Sequence, residues 1–513
     1  MILIILDVKD RILKKRIKYT FNQIMTYLGY LYEIKNSINK NLTNNKKYSL
    51  LIYYGNKTLN INHKKNIVQI IPNKFKKIRE EKTKLYYFKN KKAAIFNRDI
   101  ILESFMILSR EEEIDSKYLD EHKRFIAEKS KTFDYLMEPV VNKYAIILDK
   151  LIKNFYESNS TPLIQKCQWP KNKKFAVCLT HDVDIVKFKK ADFFSINKII
   201  DFIKNKNPYW QFDKIIYLEQ KYNFKSTFFF CVEKKHNFDP NYSIKEKKIA
   251  NIIQTIIGKG NEVGLHLSYL SYSNQEIMEM EKNKLKPLVG NCIGVRTHFL
   301  RFRVPDTWIL ENNSGFYYDS SLSYSSDIGY RGGFSWVYTP YAVGSEKEIK
   351  IFELPLSVMD STLFLENKTA DNAWISLKKL FYNAERFNGV VVLDWHQRVF
   401  NEKYFRNYFS VYKKCLNYFK EKDVFVSSAN SVIDWVNKRN SVSILRKVNK
   451  NKIDILIKST TNINNFAIKI SYNNTKLKSY NSKNCRIIGN KEGSVIIIKK
   501  INKNKKIKIE LIK

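Results

Sequence analysis

Residues 175–184 read Phe-Ala-Val-Cys-Leu-Thr-His-Asp-Val-Asp. The run Phe175–Leu179 is short, continuous and apolar, the pattern of a buried strand. It emerges into Asp182 and Asp184. On an extended backbone residues two apart point to the same side. Two carboxylates so placed repel each other unless a cation or a shared proton compensates. A metal ion supplies that compensation: one Asp binds it and the other stays free as a base. A solvated loop with a capping Asp has the same local sequence, so the pair takes its meaning from its surroundings.

Short apolar runs recur downstream at Ser226–Val232, Glu262–Leu267, Gly294–Thr297, Ile351–Leu356, Val390–Trp395 and Val424–Ser427. Helical patterns separate several of them, at Phe212–Tyr222, Ser243–Gly258, Ala373–Phe387 and Glu402–Phe419. This alternation predicts parallel strands joined by crossover helices. In a barrel built this way the carboxyl ends of the strands carry the chemistry.

Three of these ends bear ionisable residues. Asn261–Tyr269 places His266 at the end of a short apolar run. In Gly294–His298, Arg296 and His298 share a face, and an arginine there can hold a carboxylate ionised through paired hydrogen bonds. In Val390–His396, Asp394 and His396 share a face. A carboxylate beside an imidazole raises its pKa and fixes its tautomer, which suits a general acid. Singly, each reads as an ordinary surface or core residue. Jointly they are harder to dismiss: of the seven histidines in the chain, His181, His266, His298 and His396 fall at four separate strand ends. That points to a metal-dependent hydrolase site.

Outside this region the pattern changes. Residues 1–160 alternate strand candidates (Ile2–Leu6, Ser49–Tyr54, Ile67–Ile71) with helix candidates (Arg16–Leu28, Ile100–Leu108, Val140–Tyr156), an α/β domain of unassigned role. Residues 441–513 carry short strand patterns at Ile453–Ile457, Asn465–Tyr472, Cys485–Ile488 and Ser494–Lys499, with turn-formers at Asn473-Asn474 and Gly493. They predict a small β-rich appendage. The aromatic content, 14% of 513 residues, excludes a mainly disordered chain.

The formal net charge is +41. Its lysines are scattered and accompanied by abundant Asn and Ile, which fits a coding bias and a solvated surface better than specific nucleic-acid recognition. A basic surface still favours anionic substrates or lipid head groups. The six cysteines form no CxxC pair and show no framework, so free thiols in a reducing compartment are expected. The first apolar run is too short for a signal-peptide core, and no run reaches the length of a membrane-spanning helix. A cytoplasmic location, with no transmembrane segment and at most a peripheral association with a membrane, is the expectation.

The span from Phe175 to Trp435 resembles the polysaccharide deacetylases, carbohydrate esterase family four. Thr180–Asp184 resembles the family's first motif, Asn261–Tyr269 its second, Gly294–Pro305 its third, Phe316–Leu322 (with Asp319) its fourth and Leu393–His396 its last, in the family's order. Residues around Ser109–Glu113 and Asp120–Phe125 resemble the leader domain of a bacterial subgroup with HDVD in the first motif. The resemblance implies a distorted (β/α) barrel of about seven strands over residues 170–440, flanked by the α/β and β-rich domains. It also implies a metal-dependent N-deacetylase acting on an N-acetylated amino sugar in a glycan or glycan precursor; the absence of a secretion signal and the basic surface favour a phosphate- or lipid-linked precursor, as in surface polysaccharide assembly. Asp182 would be the base, Asp184 and His266 metal ligands, Arg296 the group that keeps Asp182 ionised, and His396 the acid for the departing amine. The metal, usually zinc in this family, would activate water and stabilise the oxyanion.

Two positions depart from the family pattern. The second ligating histidine is expected four residues after His266, where this chain has Leu270. His298, or failing it His181, is then the candidate third ligand. Asp394 stands where the family has a leucine of the acyl pocket. Both departures also admit a catalytically inactive glycan-binding relative.

Overall fold

The computed structural model describes residues 1–37, 45, 47–57, 65–72, 85–159, 161–448, 452–471, 478–479, 484–490 and 493–512. Its chain forms two compact units: Met1–Leu108 with Val140–Lys173 and Asp434–Lys513, and Ser109–Pro139 with Lys174–Ile433. This division differs from three consecutive domains. The reason is long-range pairing: Leu163–Lys166 is a strand antiparallel to Ile463–Ser471, and side-chain periodicity does not name a strand's partner.

In the first unit a six-stranded sheet runs Tyr32–Lys35, Ile2–Asp7, Leu50–Gly55, Asn66–Ile70, Ala93–Phe96, Tyr86–Asn90. All pairs are parallel except the last. Helix Arg11–Leu28 starts where Asp10 Oδ1 accepts from the Ile12 and Leu13 amides, at 2.8 and 3.1 Å. It stops at Gly29, whose φ of 77° lets its N–H reach the Met25 and Thr26 carbonyls. The expected carboxy-terminal strands lie in two four-stranded sheets. The turn candidates Asn473-Asn474, and Tyr472 beside them, fall outside the described residues.

The main sheet of the second unit has nine strands: β1 Phe175–Val183, β2 Ser226–Phe230, β3 Glu262–Leu267, β4 Gly294–Thr297, β5 Tyr318–Asp319, β6 Phe352–Glu353, β7 Val358–Met359, β8 Val390–Asp394 and β9 Val424–Ser427. Their order is β6-β5-β4-β3-β2-β1-β8-β7, with β9 also on β1, and every pair is parallel. Among the described residues no ladder joins β6 to β7, so the sheet is a curled half-barrel rather than a closed barrel. The expectation of about seven strands missed β5 and β7. Each is two residues long, too short to show a period. All nine residues of β1 are buried, which is why its sequence is continuous rather than alternating.

Residues 109–139 fold against this sheet's loops. Phe125, Ala127 and Leu136 pack with Tyr324, and the Glu113 carboxylate sits between two fully buried guanidiniums. Arg110 Nε donates to it at 2.7 Å, Arg331 Nε at 3.0 Å, and Arg331 Nη2 closes the fork. Burial alone would raise the Glu113 pKa, but Arg331 and Arg110 hold it below the usual 4.5. The unfolded chain therefore binds this proton at higher pH than the folded one. The pairing contributes fully above about pH 4.5 and is lost as pH falls through the folded value. Glu113→Gln leaves two buried guanidiniums short of a counter-charge and is expected to cost about 3–5 kcal/mol at neutral pH. Denaturant melts from pH 7 to 3 check this: the acid-dependent loss should shrink in the variant. Parallel profiles for the two proteins would refute it.

Candidate metal centre

The parallel register brings the strand ends to one place. His266 on β3 is the direct neighbour of Arg296 on β4, and Thr180 on β1 pairs with Asp394 on β8. Asp184 leaves the end of β1, and His298 follows β4 in a one-turn segment that bends at Phe299, φ 60°. Asp184 Oδ1 lies 3.3 Å from His266 Nε2 and 3.6 Å from His298 Nδ1, and the two histidine nitrogens are 2.9 Å apart. Nitrogen and oxygen ligands about 2.0–2.1 Å from a tetrahedral ion sit about 3.3 Å from one another, so the spacing fits.

The outward nitrogens set the tautomers. His266 Nδ1 meets the Arg296 carbonyl at 3.1 Å, and His298 Nε2 meets the Phe238 carbonyl at 2.8 Å. Each carbonyl needs an N–H, which leaves His266 Nε2 and His298 Nδ1 bare and aimed at Asp184. Two lone pairs and a carboxylate oxygen then converge, and that oxygen, buried, has no hydrogen-bond partner. A cation answers all three. Burial takes His298 down to about 4, so its ligand nitrogen is free at neutral pH. Burial also resists a charge on His266, but Asp182 and Asp184 outweigh it and raise its pKa. A proton and a metal ion would compete for the same space.

Beside this set lie Asp182 and His396. Arg296, fully buried, donates from Nη1 to Asp182 Oδ1 at 2.9 Å and to Thr180 Oγ1 at 2.8 Å. It is fixed from behind by the Ser320 carbonyl at 2.8 Å and Oγ at 3.0 Å. Asp182 Oδ2 is left towards His266 Nε2, 3.8 Å away. His396 points Nε2 at Asp184 Oδ2, 3.1 Å away. Burial and Arg398 oppose a charge on it, yet Asp360, Asp394 and Asp184 hold its pKa well above the usual value.

The partner of His396 corrects the sequence expectation. Asp360, not Asp394, meets Nδ1 at 2.8 Å and also accepts the His396 backbone N–H at 2.8 Å. Asp394 is 3.6 Å from Nδ1. It instead accepts the Asp182 amide at 3.0 Å and lies 3.4 Å from Arg296. Burial first, then the Asp182 charge, push it up to about 7. Asp360 follows the run Leu356–Met359 and could have been read as one more strand ending on an acid, had β7 been longer. Asp360→Asn removes the charge that raises the His396 pKa, so the basic limb of a pH–rate profile should move to lower pH. The rate should fall on the order of 10²-fold. An unshifted limb would show that Asp360 does not act through His396.

Two other expectations resolve plainly. His181, the alternative third ligand, faces the opposite side of β1, where its ring meets the Trp395 carbonyl at 2.6 Å and Glu219 at 2.9 Å. Leu270 is half exposed and lines no part of the site. His298 is the third side chain whose ligand atom meets those of Asp184 and His266.

Asp182, Asp184, His266, His298 and His396 line a cavity of about 550 Å³. Asp120 and residues 124–128 form part of its wall, with Phe299, Met359, Leu365 and Arg398. Arg398 reaches Asp184 Oδ2 at 3.2 Å; nothing in its local sequence marks it.

Residues 5–157 match the model of a family of unknown function (DUF7033). No curated protein matches the sequence. Among solved structures the chain is similar to a proposed polysaccharide deacetylase from Mycobacterium smegmatis, at 18% identity and a TM-score of 0.38, covering 52% of this chain and 92% of that one. It is also similar to a polysaccharide deacetylase from Bacillus cereus, at 12% identity and a TM-score of 0.28, covering 50% and 91%. A third is the catalytic domain of a peptidoglycan N-acetylglucosamine deacetylase from Eubacterium rectale, at 11% identity and a TM-score of 0.25, covering 49% and 87%. At such scores these likenesses do not assign an activity.

Proposed function

We propose that the second unit is a metal-dependent carbohydrate N-deacetylase that hydrolyses an N-acyl group, acetyl foremost, from an amino sugar. The observation that carries this is the meeting of two groups: Asp184, His266 and His298 at one cavity floor, and beside them Asp182 and His396, with the buried Asp394 behind them. The sugar comes from the motif resemblance, and the basic chain suits a phosphate-bearing or lipid-linked precursor of surface polysaccharide.

A divalent ion, zinc by the nitrogen-rich donor set, would be held by Asp184, His266 and His298 and would polarise the acyl carbonyl and acidify a water. The chain's own groups do the proton work. Asp182, oriented through Oδ1 by Arg296, takes the water's proton on Oδ2 as the new C–O bond forms. His396, held through Nδ1 by Asp360, gives its Nε2 proton to the amide nitrogen as the C–N bond breaks. Acetate and the free amine are the products. His396 must enter protonated, and its carboxylate neighbours favour that form.

The test is acetate release from N-acetylglucosamine oligomers by the full chain, with metal content measured on the same sample. About one divalent ion per chain and chelator-sensitive release are expected, and Asp184→Asn should lose both. Zinc-loaded protein that releases no acetyl group from any amino sugar tried would sink the proposal.

A further inference from the structure

Just past Asp184 the chain makes an excursion whose outer face is apolar. Phe194 is 94% exposed, Ile196 77%, Ile203 72%, Phe202 51% and Phe193 46%. Monomeric proteins seldom show so many large apolar side chains together without a use for them. Helix Ile196–Ile203 carries the pattern: Ile196, Ile200 and Ile203 recur at helical spacing on one side. Phe188, Phe193 and Phe202 pack edge to face or tilted, with ring centres 5.1–6.3 Å apart, so the excursion is a built wedge.

Its charges are sorted. Six lysines, Lys187, Lys189, Lys190, Lys198, Lys204 and Lys206, stand against two acids. Both acids turn inward. Asp192 is taken by Lys198 at 2.5 Å and Tyr209 at 2.7 Å, and Asp201 by Lys403 at 2.9 Å and Tyr404 at 2.6 Å. The outer face therefore offers protruding Phe and Ile side chains ringed by ammonium groups. We infer that residues 188–206 dock this protein on an anionic phospholipid surface, with Phe194, Ile196 and Ile203 entering the acyl boundary and Lys190, Lys204 and Lys206 meeting phosphate head groups. An eight-residue helix can lie in that interface but cannot cross it. Nucleic acid would use the lysines and leave the three isoleucines with no role. The inference concerns location and stands whether or not the deacetylase reading holds.

Full-length protein is to be co-sedimented with vesicles of phosphatidylcholine plus phosphatidylglycerol, and with phosphatidylcholine alone. Binding is expected to the anionic vesicles only. It should weaken at least about tenfold in Phe194→Ser/Ile203→Ser and about fivefold per lysine in Lys190→Gln/Lys204→Gln/Lys206→Gln at low salt. All these positions are exposed, so circular dichroism should be unchanged. In Phe194→Trp the indole emission should shift blue on anionic vesicles and be quenched by brominated acyl chains. Equal vesicle binding by the Phe194→Ser/Ile203→Ser variant, or an indole emission that does not move in Phe194→Trp, overturns the inference. So does a wild-type dimer that ignores vesicles and becomes monomeric in the double serine variant, which would make the face a contact between copies.

Discussion

Asp182→Asn is expected to lower deacetylation about 10²–10⁴-fold while metal content stays at the wild-type level. The amide keeps the shape of the carboxylate and can still accept from Arg296 Nη1, now 2.9 Å from Oδ1. It cannot accept the water's proton. Asp182 Oδ2 lies 3.8 Å from the proposed ligand nitrogen His266 Nε2, so loss of rate and loss of metal should part company. Asp184→Asn should lose both together. Acetate release and metal analysis on the two variants therefore distinguish base from ligand. If Asp182→Asn loses the ion as readily as Asp184→Asn, the roles assigned to the two carboxylates are wrong.

Arg296→Met is expected to destabilise the second unit by about 3–5 kcal/mol, the range for breaking a buried ion pair from one side. Arg296 is wholly enclosed, its guanidinium also lying over the Phe229 ring at 4.5 Å. Methionine fills much of the space but leaves Asp182 and Asp394 facing each other without a cation. One of the two must then keep a proton at neutral pH, which removes the base as well. Denaturant unfolding at pH 5 and pH 8 reads this directly: the variant's deficit should be smaller at pH 5, where the pair can share a proton. An equal deficit at both pH values would show that Arg296 serves packing rather than charge.

Much of the centre was legible in the sequence because strand ends write their chemistry locally. Asp182 and Asp184 share a side through the two-residue period of β1. His266, Arg296, His298 and His396 each follow an apolar run, and parallel pairing gathers such ends. What remained hidden shares one cause: it depends on partners distant in sequence. Asp360 holds His396 from the position just after a strand of two residues, below the length at which a period exists. Asp394, two residues from His396 and on the same face, was the natural guess for that role, but β8 pairs it against Thr180, where it meets the Asp182 amide instead. His181 has the right residue type one position from Asp182, and the same alternation sends it to the opposite side.

Taken alone, the amino-acid sequence determined the alternating strands and helices of the second unit and the ionisable residues at their carboxyl ends, since burial and backbone period act over neighbouring residues. Only the tertiary structure decided that Leu163–Lys166 pairs with Ile463–Ser471, that Asp120 and residues 124–128 line the cavity, and that His298 meets Asp184 and His266. Those outcomes turn on contacts between segments tens to hundreds of residues apart, which no local pattern of polarity encodes.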